Sequence, residues 1–377
     1  MIGRIEIHNY KLFDKFSLQL NKGINLICGP NGSGKSALLE AVYALKKFLA
    51  MPDFSDQVAW PLDEAFPFNT FCRWLIQEKG YGEMSFKIEI DDKESFEYAI
   101  TVRYNFLDKK SRVQTESLTH HPFTSEKQEL LTCAEGSIKM CTDDRKQLSF
   151  KSGLGNSGLV AGSGNNSVIR RFGERIAHIY PLHLVPFSMK QNFEKPAETL
   201  DQFGTNFPAW RFHCSNTQSE RQPIVQERCK SFIPGLVGIN NVKKGDGYGL
   251  AVRVSYKGKN YDMDFNELSD GQKSLLALHA ILENIPDRST VLIDEPENFL
   301  APSELQPWLN AMNDAWEERD IQFVMVSHNP DTLNWHSKGA VIFDINGEPP
   351  RVSARRHAEE GGQPLTDKLR EMEWGYR

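Results

Sequence analysis

Gly29-Pro30-Asn31-Gly32-Ser33-Gly34-Lys35-Ser36, residues 29–36, fits GxxxxGK[ST] at every fixed position. An apolar run, INLIC at 24–28, precedes it and reads as a buried strand of a mixed or parallel sheet. The stretch after it, residues 36–50, has helical periodicity, with Leu38, Leu39, Val42, Leu45 and Leu49 on one side. Strand, glycine loop and helix form the context that a phosphate-binding loop requires. Glycines let the backbone curl so that several N–H groups face phosphate oxygens, helped by the N-terminus of the following helix. Lys35 would then set its charge against the beta and gamma phosphates, and Ser36 would ligate magnesium.

Working outward, residues 1–20 alternate apolar and polar positions, which predicts a strand and argues against a signal peptide. Prolines and turn residues break the chain over 51–68. EMSFKIEI at 83–90 and SFEYAITVRYNF at 95–106 alternate as neighbouring antiparallel strands. From 107 to 175 the pattern weakens, and KSGLGNSGLVAGSGNNS at 151–167 reads as a mobile loop. Residues 190–233 read as mostly helical, 249–265 as a hairpin, and 266–345 as compact helix and strand. The polar end of the chain offers one helical candidate, LTDKLREMEW.

Three further segments carry chemistry. Val291-Leu292-Ile293 is an apolar strand ending in Asp294 and Glu295, and buried charge is costly unless it meets a cation or water. Asp294 suits magnesium, while Glu295 suits orienting or polarising an attacking water. Ser269 and Gly271, with Gln272 beside them, open the apolar helix LLALHAIL where a hydroxyl and free N–H groups hold an anion. Val324-Met325-Val326-Ser327 leads to His328, whose imidazole suits contact with a gamma phosphate. Each of the three has a plain structural reading by itself: an acidic turn, a helix cap, a histidine after a strand. Their occurrence together with the glycine loop favours the catalytic one.

Composition sets outer bounds. The 377 residues are 40% apolar with a net charge of -6, ordinary for a globular chain and against a surface coated in basic groups. Six scattered cysteines, at 28, 72, 133, 141, 214 and 229, match neither a disulfide scaffold nor a common zinc pattern. No segment has the roughly 20 apolar residues of a membrane span, so a cytoplasmic location is expected.

GPNGSGKS, FNELSDGQKS, VLIDEPENFLAP and VSHNP closely resemble the Walker A, signature, Walker B with D-loop, and H-loop segments of ABC-type ATPases. ELSDGQ followed by IDEPEN resembles the soluble RecF/SMC-like and OLD-like AAA15/AAA21 group, which includes DNA-repair and prokaryotic anti-phage proteins. The resemblance covers 1–50 and 262–345. It implies an α/β P-loop NTPase of ABC ATPase-head type. The expected parts are a mixed central sheet with helices, an antiparallel β subdomain, and a largely helical inserted middle region without a long coiled coil. In domain terms, 1–106 and 241–345 form the two parts of the ATPase domain, 107–240 the insertion with a possible partner surface, and 346–377 a polar tail.

Carried onto this chain, the resemblance assigns Gly29, Pro30, Asn31, Gly32, Ser33, Gly34, Lys35 and Ser36 to phosphate and magnesium. It assigns Asp294 to the metal, Glu295 to the attacking water and His328 to sensing the gamma phosphate. Ser269, Gly271 and Gln272 complete a partner's site, and Pro296, Glu297 and Asn298 carry signals across the interface. Two positions depart from relatives: Asp270 replaces a glycine common in transporters, and Ala301 stands where histidine is frequent. Gln77 and Gln191 both remain open as the Q-loop glutamine.

These features imply ATP and Mg2+ as ligands of an ATP-dependent homodimer with two nucleotides at its interface. Its output is read as a switch acting on a protein effector in anti-phage defence or a toxin system, without membrane attachment. An alternative is a DNA-binding repair ATPase, for which Lys109-Lys110, Arg170-Arg171 and Lys243-Lys244 are the local basic groups. A transporter subunit is the third reading, opposed by the signature and the large middle section.

Overall fold

The computed structural model describes residues 1–54, 58–79, 81–92, 94–123, 126–357 and 365–366. The chain divides into two units, Met1–Ile179 with Leu333–Arg377, and Tyr180–Thr332.

Among the described residues, the first unit holds an eight-stranded antiparallel sheet. Its order is Phe16–Gln19, Ile2–His8, Gly82–Asp91, Ser95–Asn105, Lys110–His121, Gln128–Ala134, Ser137–Cys141 and Gln147–Lys151. The two stretches with clean alternation pair as expected, Phe86 opposite Ile100 and Ile88 opposite Tyr98. The sheet runs on past Asn105, where the sequence pattern weakens. There the inward positions carry polar groups, Ser111, Glu116 and His120, which hide a period of two. Each has a partner: Ser111 Oγ donates to the Phe66 carbonyl, Glu116 accepts from Tyr98 and Ser157, and His120 meets Glu94.

Of the expected mobile loop at 151–167, residues 152–157 are irregular, while the rest forms two short helical segments, Gly158–Gly162 and Ser163–Asn165, leading into the helix Ser167–Ala177. Ser157 and Asn166 cap the first and the last of these by accepting backbone N–H groups. Glycine there serves close packing: a Cβ on Gly162 would lie 2.8 Å from the Met140 sulfur.

The same unit contains Ile24–Cys28, wholly buried, parallel to Val341–Asn346, which pairs antiparallel with Arg351–Arg356. This is the mixed sheet that the apolar run predicts. The polar end thus contributes a strand, while the helical candidate over 365–374 lies almost wholly outside the described residues.

In the second unit, Thr290–Asp294 and Gln322–Val326 are parallel and buried throughout. Residues 180–182 belong to the strand Ile179–Leu182, which lies beside Thr290–Asp294. A second sheet orders Asn192–Phe193, Gly247–Tyr256 and Leu236–Lys244, and Lys259–Asp264 also pairs with Gly247–Tyr256, over 251–256. The predicted hairpin is therefore present, with Val254 opposite Tyr261. Helices Phe207–Thr217, Gln222–Cys229, Asp270–Asn284 and Pro302–Arg319 complete the unit. The 18 residues of Pro302–Arg319 make it the longest helix among the described residues, far short of a coiled-coil arm.

Candidate functional site

In the first unit the glycine loop leaves the buried strand Ile24–Cys28 and enters the helix Lys35–Phe48. Gly29, Gly32 and Gly34 have φ of 148°, 77° and 87°, in the region that favours glycine. A Cβ on Gly29 would lie 2.2 Å from the Phe343 carbonyl oxygen, so the loop closes only because no side chain is there. The Lys35 ammonium, buried, donates to the carbonyls of Gly29 at 3.0 Å and Pro30 at 2.7 Å. Gly34 provides no side-chain cap, and the first helical turn carries no acid. A helix start of this kind suits an anion, and Asn31, Gly32 and Ser36 are exposed there.

In the second unit, parallel pairing sets Asp294 opposite Val326, at the ends of two buried strands. Asp294 is 6% exposed, and its Oδ2 lies 3.4 Å from Nδ1 of His183. The Asp294 carboxylate beside it raises the His183 pKa above its ordinary 6.5, against a smaller lowering by burial. Glu295 has φ of 45°, unusual for a non-glycine residue and costing on the order of 1–3 kcal/mol. Its N–H bonds the Val326 carbonyl at 2.9 Å, and its Oε2 accepts from Asn298 Nδ2 at 2.7 Å. Its Oε1 lies 3.7 Å from His328 Nε2. The sharp turn thus aims a half-exposed carboxylate out of the strand and toward an exposed imidazole.

Behind this pair, Glu297 and Ser327 are buried and joined by a hydrogen bond from the serine hydroxyl. Burial raises the Glu297 pKa above 4.5, with the Ser327 bond opposing. Pro296 is buried too, so of the three residues expected to signal across an interface only Asn298 reaches the surface.

Ser269 caps Asp270–Asn284 through a reciprocal pair with Gln272, each side chain accepting the other's backbone N–H. Gln272 also donates to the Phe232 carbonyl at 3.2 Å. A Cβ on Gly271 would lie 2.7 Å from the Phe299 carbonyl, so the start of this helix rests on the turn that follows Glu295. Ala301 begins the next helix, where Glu304 accepts its N–H at 3.1 Å.

Within the second unit the fold therefore gathers Asp294, Glu295 and His328, and sets Gly271 on the Glu295 turn. His183 joins this group without any sequence signal: it is a single histidine after a short strand. Neither glutamine candidate carries a comparable contact. Gln77 lies on the first unit's helix Arg73–Lys79, and Gln191 hydrogen-bonds Asp264.

Taken by itself, the first unit's loop of curled backbone and a lysine has the donor chemistry that suits phosphate, and the second unit's buried strand-end aspartate has the oxygen chemistry that suits a hard divalent cation. No group of three or more His, Cys, Asp or Glu among the described residues forms a self-sufficient metal site.

Comparison with known proteins bears on this reading. The AAA ATPase domain family AAA_15 matches residues 1–160. AAA_21, described as an AAA domain, putative AbiEii toxin, Type IV TA system, matches 188–334. The DNA replication and repair protein RecF of Psychromonas ingrahamii is 48% identical over 44 residues, 12% of each chain. The chromosome partition protein Smc of Methanocaldococcus jannaschii is 51% identical over 82 residues, 20% of this chain and 7% of that one. The matches thus span small parts of those relatives' length. An Smc head solved with the C-winged helix domain of ScpA superposes with a TM-score of 0.52 and 14% identity. That superposition covers 96% of this chain and 99% of the other. Among the described residues no helix is long and apolar enough to cross a membrane.

Proposed function

We propose that this AAA/ABC-type P-loop ATPase, related to RecF and SMC proteins and to the AAA_15 and AAA_21 families, works as a nucleotide-sandwich homodimer. Its cycle of ATP hydrolysis switches a partner effector in prokaryotic anti-phage defence or a toxin system. The observation that carries the catalytic part is Glu295, held at φ 45° with one oxygen on Asn298 and the other facing His328.

Residues Gly29 to Lys35 bind the triphosphate; Ser36 in the first unit and Asp294 in the second are each suited by their oxygen donors to Mg2+. The cation, when bound, offsets phosphate charge and polarises the gamma-phosphoryl group. Glu295 accepts a hydrogen bond from the attacking water and orients it in line; His328 donates to the gamma phosphate. Ser269, Gly271 and Gln272 bring a capped helix start to the other subunit's nucleotide, so that ATP bridges the pair and hydrolysis releases it. The match to AAA_21, a family of AAA domains that includes a putative AbiEii toxin, supports the toxin-system setting, and the winged-helix domain bound to the Smc head supports a protein partner.

Glu295→Gln tests the proposal: it keeps size and the Asn298 contact but loses the anionic acceptor. Turnover should fall about 100-fold or more while an ATP-bound dimer accumulates in size-exclusion chromatography. Wild-type phosphate release from this variant would remove Glu295 from its role.

The RecF matches favour a second reading, a DNA-dependent maintenance ATPase. Against it, Arg170 and Arg171 are engaged with Asp53 and Glu94, and Lys244 with Asp264. Duplex-DNA binding that weakens steeply with salt and stimulates turnover would favour this alternative.

A further inference from the structure

We propose that His183 is a positioning residue for the metal-holding carboxylate, fixing Oδ2 of Asp294 and with it the orientation in which the carboxylate meets the cation. The inference rests on the ATPase reading above and adds a residue to it. Three observations carry it. The strand Ile179–Leu182 lies beside Thr290–Asp294 and delivers His183 just past its own end, level with the carboxylate. Nδ1 and Oδ2 stand 3.4 Å apart, a separation that closes to a normal hydrogen bond with a small turn of the ring.

The residue is also held by a second segment, 201–206. His183 N–H bonds the Gln202 carbonyl at 2.7 Å, Val185 N–H bonds that of Phe203 at 3.0 Å, and the Phe203 ring stands edge-on to the imidazole at 6.2 Å. Phe203 in turn belongs to a tight loop drawn together by Asp201, whose carboxylate accepts from the N–H groups of Phe203, Thr205 and Asn206. An exposed histidine that merely met an acid at a surface would need no such scaffold. Hydrogen bonding to a ligating carboxylate orients it, and loss of such a partner commonly lowers metal affinity about 10–100-fold.

The test compares His183→Phe, which keeps a planar ring and loses the donor, with His183→Gln, which restores a donor on a different stem. Three quantities are read for each: fluorescent-nucleotide binding in EDTA, Mn2+ binding by EPR with ADP present, and the Mg2+ concentration for half-maximal turnover. His183→Phe should weaken Mn2+ binding and raise the Mg2+ requirement about tenfold, with metal-free nucleotide binding unchanged. His183→Gln should recover most of both losses. Wild-type metal behaviour in His183→Phe overturns the proposal. So does loss of metal-free nucleotide binding in both variants, since that marks a role in folding. Wild-type protein that binds no nucleotide at all overturns the ATPase reading itself, and this proposal with it.

Discussion

The Ser327 hydroxyl donates a hydrogen bond to Oε1 of Glu297, and both side chains are buried. The bond joins the turn after Thr290–Asp294 to the end of Gln322–Val326, one residue before His328. Ser327 Oγ also accepts the Asn329 N–H at 3.0 Å, so the histidine sits between two fixed neighbours. The distance between Glu295 and His328 is therefore set from beneath, by groups that never reach solvent.

Ser327→Ala should consequently leave Glu297 with a buried oxygen lacking its donor, destabilising the fold by about 1–3 kcal/mol. Turnover should fall with little change in nucleotide affinity. Chemical denaturation and steady-state kinetics check this; a variant as stable and active as wild type would show that the clasp holds nothing.

Glu297 also predicts a pH dependence. Burial keeps its folded pKa above 4.5, so between that value and the raised one the folded chain binds more protons than the unfolded chain. Its contribution is favourable at low pH and is lost as pH rises through this window. Glu297→Gln, which is neutral throughout, should gain in melting temperature relative to wild type as pH rises from 4.5 through the raised value. A constant difference across that range would contradict the assignment.

Gly271→Ala places a Cβ 2.7 Å from the Phe299 carbonyl, a contact that backbone must relieve. Because the same helix start is proposed to meet the other subunit's nucleotide, ATP-dependent dimerisation should be lost while a single chain still binds ATP. Light scattering with and without ATP reads this directly. Normal dimerisation would separate the helix start from the interface.

Lys35→Ala removes the only side-chain cation of the glycine loop at 29–36, an ammonium that rests on the Gly29 and Pro30 carbonyls. Charge-assisted hydrogen bonds contribute about 1.5–3 kcal/mol, so ATP affinity should drop about 10–100-fold. Equilibrium binding of a fluorescent ATP analogue is the measurement, and unchanged affinity would end the phosphate-loop reading.

The glycine loop was legible because its determinants are contiguous. An apolar strand, three glycines needing positive φ and an amphipathic helix occupy 24–50 in order, and each requirement is written locally. The strands at 83–106 were legible for the same reason. The strands over 110–151 were not: inward Ser111, Glu116 and His120 break the apolar alternation, and their burial is tolerable only because Phe66, Tyr98, Ser157 and Glu94 supply partners from elsewhere. The glycine-rich stretch before 167 misled similarly, since composition alone does not separate flexibility from close packing against Met140 and Ile138.

By itself, then, the sequence determined the glycine loop between strand and helix, the two carboxylates at a strand end and the capped helix start, because short-range propensity and local geometry specify them. Only tertiary structure decided that His183 meets Asp294, that Glu297 turns inward to Ser327, and that Gly271 lies under Phe299. Those pairs come from strand register and helix packing between distant segments, where a residue's surroundings are set by what folds against it and not by its neighbours in the chain.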